Sequence, residues 1–365
     1  QIEASRKKLA DEDITWYWVK YHKTPTVPAT LYDVMNGARV AIQIARREKV
    51  DVFHARVHIP AMMGAIAKRF CGGKLLFDIR GFFPEEYTDA GRWTENGSIY
   101  KSVKRVEKYL LKNSDGFVVL TEKAREILFP ESKKTGFDKR NRPVEVIPCC
   151  IDEKRFESVE HLNRDEIRRE MNLENRNVII YVGSFGGWYM TDEMMRFFAA
   201  AKRRDTSTFA MILTKDDHDE IRGKLRENGF GDDDCHVAKV SPSEVPKYLK
   251  ASDIALSFIK ACYSKQSSSP TKIAEYLACG LPVIANSGVG DLDELIIGEK
   301  VGVIVKDFTD ESFVEALDDV DKMRVEIPNL RGHCENVAWE KFDLQRIAGE
   351  NYRRIYKNLL NGKSS

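Results

Sequence analysis

The sequence has no long hydrophobic run, no paired-cysteine motif and almost no net charge. Its longest apolar runs, such as Val178–Val182, have the length of a β-strand and fall far short of the roughly 20 residues that a membrane-spanning helix requires. The seven cysteines form no CxxC pair, which predicts reduced thiols, no structural disulfide and no zinc site. With 58 Lys and Arg against 57 Asp and Glu, no overall field attracts nucleic acid. We therefore expect a cytoplasmic protein without a nucleic-acid partner, and association with the inner face of the cell membrane stays open.

The sequence also lacks a GxGxxG motif at the start of either half, which disfavours a Rossmann dehydrogenase. What it does have is a regular alternation of short β-branched or aromatic runs with amphipathic stretches of helical length. This alternation predicts an α/β fold in which parallel sheets are covered by helices on both faces. The 365 residues are enough for two hydrophobic cores. We therefore predict two Rossmann-like, doubly wound domains that face a cleft.

A polar, charged stretch after Pro148 separates two series of strands. It predicts an N-terminal domain over residues 1–150 and a C-terminal domain over residues 151–338. Residues 339–365 have apolar residues at helical spacing and predict a last helix that either closes the second domain or crosses back to the first. The predicted strands are Ile14–Val19, Val50–His54, Lys74–Asp78, Phe117–Thr121 and Val144–Pro148, then Val178–Gly183, Phe209–Thr214, His236–Ala238, Ile254–Phe258, Pro282–Asn286 and Gly302–Val305.

The segment from residue 267 to residue 291, SSSPTKIAEYLACGLPVIANSGVGD, contains the clearest chemistry. Ser269 as the N-cap and Pro270 at the first helical position predict a helix of about three turns. The amides and dipole at its start would bind a pyrophosphate, with Lys272 adding a full charge. Glu275 lies on the same helix face, where its carboxylate can accept hydrogen bonds from ribose hydroxyls. For these two residues alone, an ordinary Lys–Glu surface pair is the alternative.

Other strand ends and Gly-rich loops add candidate donor-binding residues. YVGSFGGWYM ends a strand in a loop that could present amides to phosphates, although such turns are common in any doubly wound sheet. Because this loop has no cation of its own, Lys215 or Lys265 would assist Lys272. The predicted donor-binding residues are Gly183, Ser184, Lys215, Ser268, Ser269, Lys272, Glu275, Asn286, Gly290 and Asp291.

SPTKIAEYLACGLPVIANSGVGDLDELI resembles the donor-site signature of retaining glycosyltransferases of family four, and VIPCCIDEKRF resembles the hinge of that family. The resemblance implies a GT-B fold, a UDP- or GDP-sugar donor, a glycan or lipid-linked acceptor, and no metal or other cofactor. The Ser-rich form of the signature is similar to that of the surface-polysaccharide and lipopolysaccharide branch of the family. It implies that Glu275, the second glutamate of an E-x7-E motif, binds the ribose. The first glutamate would fall at position 267, where this chain has Ser267.

In the first domain, DVFHARVHIP and FDIRGFFPEE place polar side chains just beyond strand ends. Arg80 is expected to neutralise charge that develops on the phosphate, although an ion pair with Glu85 or Glu86 is equally compatible with the sequence. His54 is expected to be a core histidine, and His58 to be solvated. The candidate acceptor-side residues are Arg56, His58, Glu85 and Glu86, and the candidate catalytic residues are Arg80, Lys272 and Glu275.

GT-B first domains normally open with a strand and a Gly-rich loop, whereas this chain opens with a polar helical stretch over residues 1–10. We therefore expect a truncated sequence that lacks the first strand. Two alternatives to a transferase stay open. One is a catalytically silent GT-B subunit that binds nucleotide, and the other is a GT-B epimerase or hydrolase that acts on the donor alone.

Overall fold

The structure is a computed structural model, and it describes residues 2–156 and 163–361. The chain divides into two compact units. The smaller unit comprises Gln1–Asp78 and Arg105–Asp115, and the larger comprises Ile79–Lys104 and Gly116–Ser365. Within the described residues, none of the helices combines the length and the apolar character needed to cross a bilayer.

The smaller unit is built around a parallel strand pair and two packed helices. Small buried side chains, among them Ala38 of α2 and Ala61 of α3, let these two helices approach closely. Strand β1 pairs in parallel with β2, with Val52 opposite Lys74. The elements are α1 (Ile2–Ala10), α2 (Thr26–Glu48), β1 (Val52–Arg56), α3 (His58–Cys71) and β2 (Lys74–Ile79), whose last residue belongs to the larger unit.

The strand predicted at Ile14–Val19 is wrong. These residues have no regular secondary structure and pair with none of the described strands. Ile14 is 51% exposed and Trp18 54% exposed, so the run is neither hydrogen-bonded in a sheet nor buried in a core. A β-branched and aromatic composition favours a strand only where a neighbouring strand satisfies its backbone groups.

In the larger unit, the first part contains the parallel pair of β3 (Gly116–Val119) and β4 (Val144–Val146). β3 is buried along its whole length, in keeping with its apolar sequence, and β4 is buried at Val144 and Glu145. The associated helices are α4 (Phe83–Asp89), α5 (Ser98–Asn113, which runs into the smaller unit), α6 (Glu122–Leu128) and α7 (Ser132–Thr135).

The second part is a six-stranded parallel sheet with the order β10-β9-β8-β5-β6-β7. In chain order this is the doubly wound Rossmann arrangement, and its direction of winding reverses between β5 and β8. The strands are β5 (Asn177–Val182), β6 (Thr208–Leu213), β7 (Cys235–Ala238), β8 (Ile254–Ser257), β9 (Val283–Asn286) and β10 (Gly302–Val305). The helices are α8 (Arg164–Glu170), α9 (Thr191–Arg204), α10 (His218–Glu227), α11 (Val245–Ala251), α12 (Thr271–Ala278), α13 (Leu292–Gly298), α14 (Asp310–Glu326), α15 (Leu330–Phe342) and α16 (Glu350–Asn361).

The end of the chain is not one continuous helix. A π-helical turn, Leu344–Gly349, separates α15 from α16. Arg354 on α16 forms a bidentate ion pair with Glu145 on β4, with N–O distances of 2.6 and 2.5 Å. The interruption redirects the chain, so the last helix packs against the first part of the larger unit rather than extending α15.

Phenylalanine side chains fill one face of the six-stranded sheet. The Phe258 ring is fully buried and lies edge-on to Phe197, with 5.7 Å between ring centroids, and stacked with Phe313 at 5.9 Å. Because the residue directly follows β8, this cluster holds the end of the strand at which the sheet reverses its direction of winding.

We predict that Phe258→Ala lowers the free energy of unfolding by about 3–5 kcal/mol, because it removes a buried ring and leaves a cavity among aromatic neighbours. Urea unfolding followed by circular dichroism measures the change. The matched control is Phe70→Ala, since Phe70 is 60% exposed and its loss should cost less than about 0.5 kcal/mol. Equal destabilisation by the two variants would contradict the packing described.

Candidate functional site

A cavity of about 280 Å³ lies beyond the carboxyl ends of β5 and β8, where the sheet reverses its winding. Two of its lining residues are cations and two are aromatic, and none carries a carboxylate among the described residues that line it. The lining residues are Arg80, Leu120, Trp188, Tyr189, Ile259, Lys265, Ser268, Ser269, Pro270 and Thr271. In open α/β sheets this position is the usual ligand site, and the charge of the lining favours an anion.

Helix α12 begins at this cavity. Tyr276 is fully buried and fixes the helix to the sheet: its hydroxyl accepts a hydrogen bond of 2.9 Å from the Val182 amide and donates one of 3.5 Å to the Leu256 carbonyl. With eight residues the helix has about two turns, not the three predicted. The predicted cap is also wrong: Pro270 occupies the N-cap position, and no side chain of the described residues caps the helix. The amides at its start therefore remain available to a ligand.

Lys272 lies in the first turn of α12 and points into the protein. Its ammonium is buried between the rings of Tyr181 and Tyr189, at 4.5 and 4.2 Å from their centroids, and has no hydrogen-bond partner among the described residues. Burial lowers the pKa of Lys272 to about 7, although the Glu275 carboxylate opposes the shift. The aromatic faces replace only part of the lost hydration, so an anion here would be strongly favoured.

Glu275 is also buried, and its partner is a residue that the motif did not indicate. Its Oε1 accepts a hydrogen bond from Nη1 of Arg155, which lies in the turn that leads into the C-terminal region. Burial raises the pKa of Glu275, and the charges of Arg155 and Lys272 partly counteract this effect. The surface-pair alternative is therefore wrong, because both charged groups are buried and Glu275 pairs with Arg155.

The Gly-rich loop after β5 approaches Lys272 closely. Gly183 has φ +147°, and a Cβ atom there would lie 2.8 Å from the Lys272 ammonium, so any side chain would displace it. The Ser184 carbonyl accepts a 2.5 Å hydrogen bond from the Tyr181 hydroxyl. Lys215 follows β6 as an exposed residue and does not line the cavity. The structure thus brings Gly183 and Ser184 to Lys272 but leaves Lys215 apart.

The donor-binding candidates Asn286, Gly290 and Asp291, at the end of β9 and in the turn after it, contact the backbone of neighbouring loops. Asn286 exchanges hydrogen bonds with the backbone of Ile259, at 2.8 and 2.9 Å, and so joins the ends of β8 and β9. Gly290 has φ +49°, and a Cβ atom there would lie 2.0 Å from the Ser268 carbonyl oxygen. Asp291 accepts hydrogen bonds from the amides of Glu122 and Lys123 at the start of α6. It does not line the 280 Å³ cavity but lines an adjoining one of about 440 Å³, which shares Leu120 and Ser268–Pro270 with the first.

The serines before α12 bind backbone groups of the first half of the chain. We call residues 264–269 the serine strap. Ser267 is 2% exposed; its hydroxyl donates to the Ser264 carbonyl at 2.7 Å and accepts from the Phe82 amide at 3.0 Å. Ser269 accepts from the Cys149 amide at 3.0 Å, which explains why it does not cap the helix. The motif position that a glutamate would occupy therefore holds a buried structural contact.

Arg80 reaches the cavity from the loop after β2. One of its terminal nitrogens lies 3.5 Å from the thiol of Cys149. The Glu85 carboxylate lies 3.0 Å from the Lys104 ammonium and accepts a hydrogen bond from Tyr100, whereas Glu86 folds over Gly81. Of these first-half candidates, Arg80 alone lines the cavity.

In the smaller unit, the burial of the two histidines is the reverse of the prediction. His54 lies at the surface of β1, 3.7 Å from Asp78, and its side chain is 29% exposed. His58 is buried at the start of α3, 3.5 Å from Glu107 and edge-on to Phe77. Alternation along β1 puts Ala55 inside and its neighbours His54 and Arg56 outside, which the apolar run alone did not reveal.

The backbone between Arg56 and His58 is strained. Val57 has φ +63° and ψ 175°, a region that is nearly exclusive to glycine. Backbone strain of this kind concentrates at functional sites. Val57 lies just after the carboxyl end of β1, between the acceptor-side candidates Arg56 and His58.

Sequence reasoning missed Arg155, Trp188 and both tyrosines around Lys272. Arg155 and Trp188 lie inside the quoted hinge and loop sequences, but no spacing rule connects residues this far apart in the chain. The one available indication was the aromatic content of YVGSFGGWYM directly after a strand, which is unusual for a loop.

Comparison with protein families assigns both halves of the chain. The model described as Glycosyltransferase Family 4 matches residues 3–155, and the model described as Glycosyl transferases group 1 matches residues 163–338. No curated protein is similar enough in sequence to count as a match.

Solved structures with the same fold are numerous but distant in sequence. A glycosyltransferase from Rickettsia africae is 17% identical with a TM-score of 0.68, and the match covers 98% of this chain and 88% of that one. Anabaena HepE in complex with UDP is 15% identical with a TM-score of 0.68, covering 97% and 89%. Sucrose-phosphate synthase from Thermosynechococcus elongatus is 16% identical with a TM-score of 0.67, covering 93% and 83%. These structures show the two-domain, Rossmann-like GT-B fold.

We predict that Ser267→Ala lowers the free energy of unfolding by about 1–3 kcal/mol, because the buried Phe82 amide loses its acceptor. Ser267→Glu, which restores the residue of the motif, should destabilise more than alanine, because it inserts a larger, charged group at a buried position. Urea unfolding measures both, with the exposed Ser243→Ala as control. A glutamate variant as stable as the parent would show that the strap is not packed as described.

Proposed function

Because the chain is a two-domain glycosyltransferase of the GT-B fold, we propose that it transfers a sugar from a UDP- or GDP-sugar to a glycan or lipid-linked acceptor. The proposal includes retention at the anomeric carbon, independence of metal, and a role in cell-surface polysaccharide biosynthesis. The observation that carries it is the Lys272 ammonium, which is buried in the first turn of α12 without a hydrogen-bond partner among the described residues.

The chemistry required of such a site is stabilisation of a departing nucleoside diphosphate. The amides at the start of α12 and Lys272 would bind the pyrophosphate oxygens, which gain charge as the glycosidic bond breaks. Lys265 and Arg80 line the cavity at which α12 begins and add two further positive charges. These three cations would balance the pyrophosphate charge that a metal ion balances in other enzymes. Insensitivity of transfer to a chelator tests that part of the proposal.

Glu275 supplies the nucleoside half of the site. A largely buried carboxylate with one oxygen that accepts no hydrogen bond from the described residues can accept hydrogen bonds from ribose hydroxyls. Crystals of Anabaena HepE contain UDP and UDP-glucose, which supports UDP-sugars as the first donors to test.

Exposed side chains of the smaller unit support the acceptor and the membrane association that we propose. Exposed side chains over residues 14–35 include three aromatic ones of the types that favour a membrane interface, Trp18, Tyr21 and Tyr32, and the apolar Leu31. They support a lipid-linked acceptor and peripheral association with the cytoplasmic face of the membrane. Co-sedimentation with phospholipid vesicles measures that association, and a protein that stays in the supernatant would contradict it.

The catalytically silent subunit remains the second candidate function. The observation that favours it is Ser267, since the position of the first motif glutamate makes a buried backbone contact and does not line the cavity. Nucleotide binding without transfer or hydrolysis of any donor would favour this candidate. Sugar release from the donor without an acceptor would favour a hydrolase, and conversion of the donor to its epimer would favour an epimerase.

We predict that UDP or GDP raises the unfolding temperature, and that Lys272→Met weakens nucleotide binding by about tenfold to a hundredfold, because a charge-assisted hydrogen bond to phosphate is lost. At about pH 8 the parent should take up a proton on binding, because Lys272, with a pKa of about 7, is then mostly neutral and the phosphate raises that pKa. Calorimetry in two buffers of different ionisation enthalpy measures the uptake.

The proton uptake should disappear in Lys272→Met and persist in Lys215→Met, the matched control at an exposed strand end. The proposal would fail if neither UDP nor GDP, alone or as a sugar conjugate, stabilised the parent. Equal proton uptake by the parent and Lys272→Met would remove Lys272 from the phosphate site.

A further inference from the structure

The contact between Arg155 and Glu275 joins two segments that are 120 residues apart in the chain. The Arg155 guanidinium uses three nitrogens: Nη1 donates to Glu275, while Nε and Nη2 donate to the Pro242 carbonyl at 3.3 and 3.2 Å. Pro242 follows β7, so one side chain links the loop after that strand to helix α12. A planar, forked cation is suited to this link, and a lysine could not make all three contacts at once.

The position of Arg155 is fixed by its neighbours. The Lys154 amide binds the Asp152 carboxylate at 3.2 Å, and the Arg155 amide binds the Asp152 carbonyl at 3.0 Å, which forms a tight turn. The next residue, Phe156, is buried and lies edge-on to Trp339. This turn fixes the backbone of Arg155. Less conformational entropy is therefore lost when its side chain pairs with Glu275.

The contact leaves half of the carboxylate available. Arg155 binds Oε1 of Glu275, while Oε2 receives no hydrogen bond from the described residues. The Glu275 side chain is 11% exposed and the Arg155 side chain 35% exposed. A ligand can therefore reach the free oxygen from the side on which the guanidinium is open to solvent.

We propose that Arg155 is a positioning residue of the nucleoside site, whose guanidinium orients the Glu275 carboxylate and preserves its charge so that Oε2 can accept a ribose hydroxyl. This inference rests on the proposed function, because it presupposes a nucleoside diphosphate at α12. Arg155 acts through Glu275 and through the loop at Pro242 rather than on the sugar that is transferred.

The electrostatic surroundings make Arg155 the main support of that charge. Burial raises the pKa of Glu275, and the Arg155 guanidinium is the strongest opposing influence, followed by Lys272. Since the pKa of Lys272 is itself about 7, that residue is a weak source of positive charge at neutral pH. The titratable and charged groups around Glu275 are Arg155, Lys272, Tyr276 and Cys279, with Arg331 and Glu335 of α15 acting on Cys279.

The sign of the pH effect follows from this balance. Without Arg155 the pKa of Glu275 rises further, so a larger fraction of this carboxyl is protonated in the variant than in the parent. The difference between the two proteins is larger at acid pH than at alkaline pH. A protonated carboxyl is a poorer acceptor for a hydroxyl, and binding of a ribonucleotide should weaken most at low pH. A 2′-deoxynucleotide lacks one of the hydroxyls concerned and should lose less.

The test measures dissociation constants of UDP and 2′-deoxyUDP for the full chain and for Arg155→Met, Arg155→Lys and Lys154→Met, at two pH values. Relative to the parent, Arg155→Met should bind UDP about tenfold more weakly at about pH 6 and about twofold more weakly at about pH 8.5. Its preference for UDP over 2′-deoxyUDP should shrink at the lower pH. UDP and 2′-deoxyUDP carry the same diphosphate, so the titration of Lys272 cancels in the ratio of their dissociation constants for each variant at each pH.

Two further variants distinguish the effect of the Arg155 charge on Glu275 from an effect on the stability of the fold. Lys154→Met removes a positive charge one residue away, from an exposed side chain, and should match the parent. Arg155→Lys keeps the charge and so should keep the pH profile of the parent, while the contacts that lysine cannot make should cost a pH-independent factor of at most about threefold in affinity. Circular dichroism and the unfolding midpoint verify that each variant is folded. If Arg155→Met does not fold, Arg155→Lys decides alone, and a tenfold loss at both pH values would overturn the proposal.

Other outcomes are equally decisive. Tighter UDP binding by Arg155→Met at both pH values would mean that Arg155 obstructs the site, and an unchanged pH profile would mean that it only stabilises the fold. Either result overturns the proposal while leaving the proposed function intact. Failure of the parent to bind UDP and GDP would overturn the proposed function and this inference together.

Discussion

The arrangement of the site depends on backbone amides at the ends of strands and loops that must find acceptors once they are buried. The Phe82 and Cys149 amides bind the hydroxyls of Ser267 and Ser269, and the amides at the start of α6 bind Asp291. An unsatisfied amide in each of these places would cost about as much as a lost hydrogen bond. These hydrogen bonds to Phe82 and Cys149 fix the position of the serine strap. Helix α12 follows the strap directly, so its first turn has a fixed position beside the cavity.

This constraint explains why a sequence that resembles a donor motif does not use every motif position for the donor. Three serines precede α12, and they have different roles: Ser267 and Ser269 bind backbone amides, while Ser268 and Ser269 line the cavity. A small side chain with one donor and two acceptors suits a buried backbone contact, whereas a glutamate would bring a larger, charged group to that position. Among the described residues that line the cavity, two are cations and none is a carboxylate.

Two buried charges then dominate the electrostatics. Lys272 is held by the faces of Tyr181 and Tyr189, and Glu275 by Arg155. Both charged forms are disfavoured by burial, and each is only partly compensated by its neighbours. Buried groups with strongly perturbed pKa values concentrate at functional sites, and in the function proposed above Lys272 would bind the phosphates and Glu275 the nucleoside.

Much of this was determined by the sequence alone, because it depends on local pattern. The strand and helix alternation, Lys272 and Glu275 on one helix, and the glycine at position 183 follow from periodicity and from residues with few conformational choices. Tertiary structure decided what depends on distant neighbours: the absence of a strand at Ile14–Val19, the burial of His58 instead of His54, and the use of Ser269 as an acceptor rather than a cap. It also brought Arg155 to Glu275 across 120 residues. Hydrogen-bond and charge partners are set by which groups are buried together, and no local spacing encodes that.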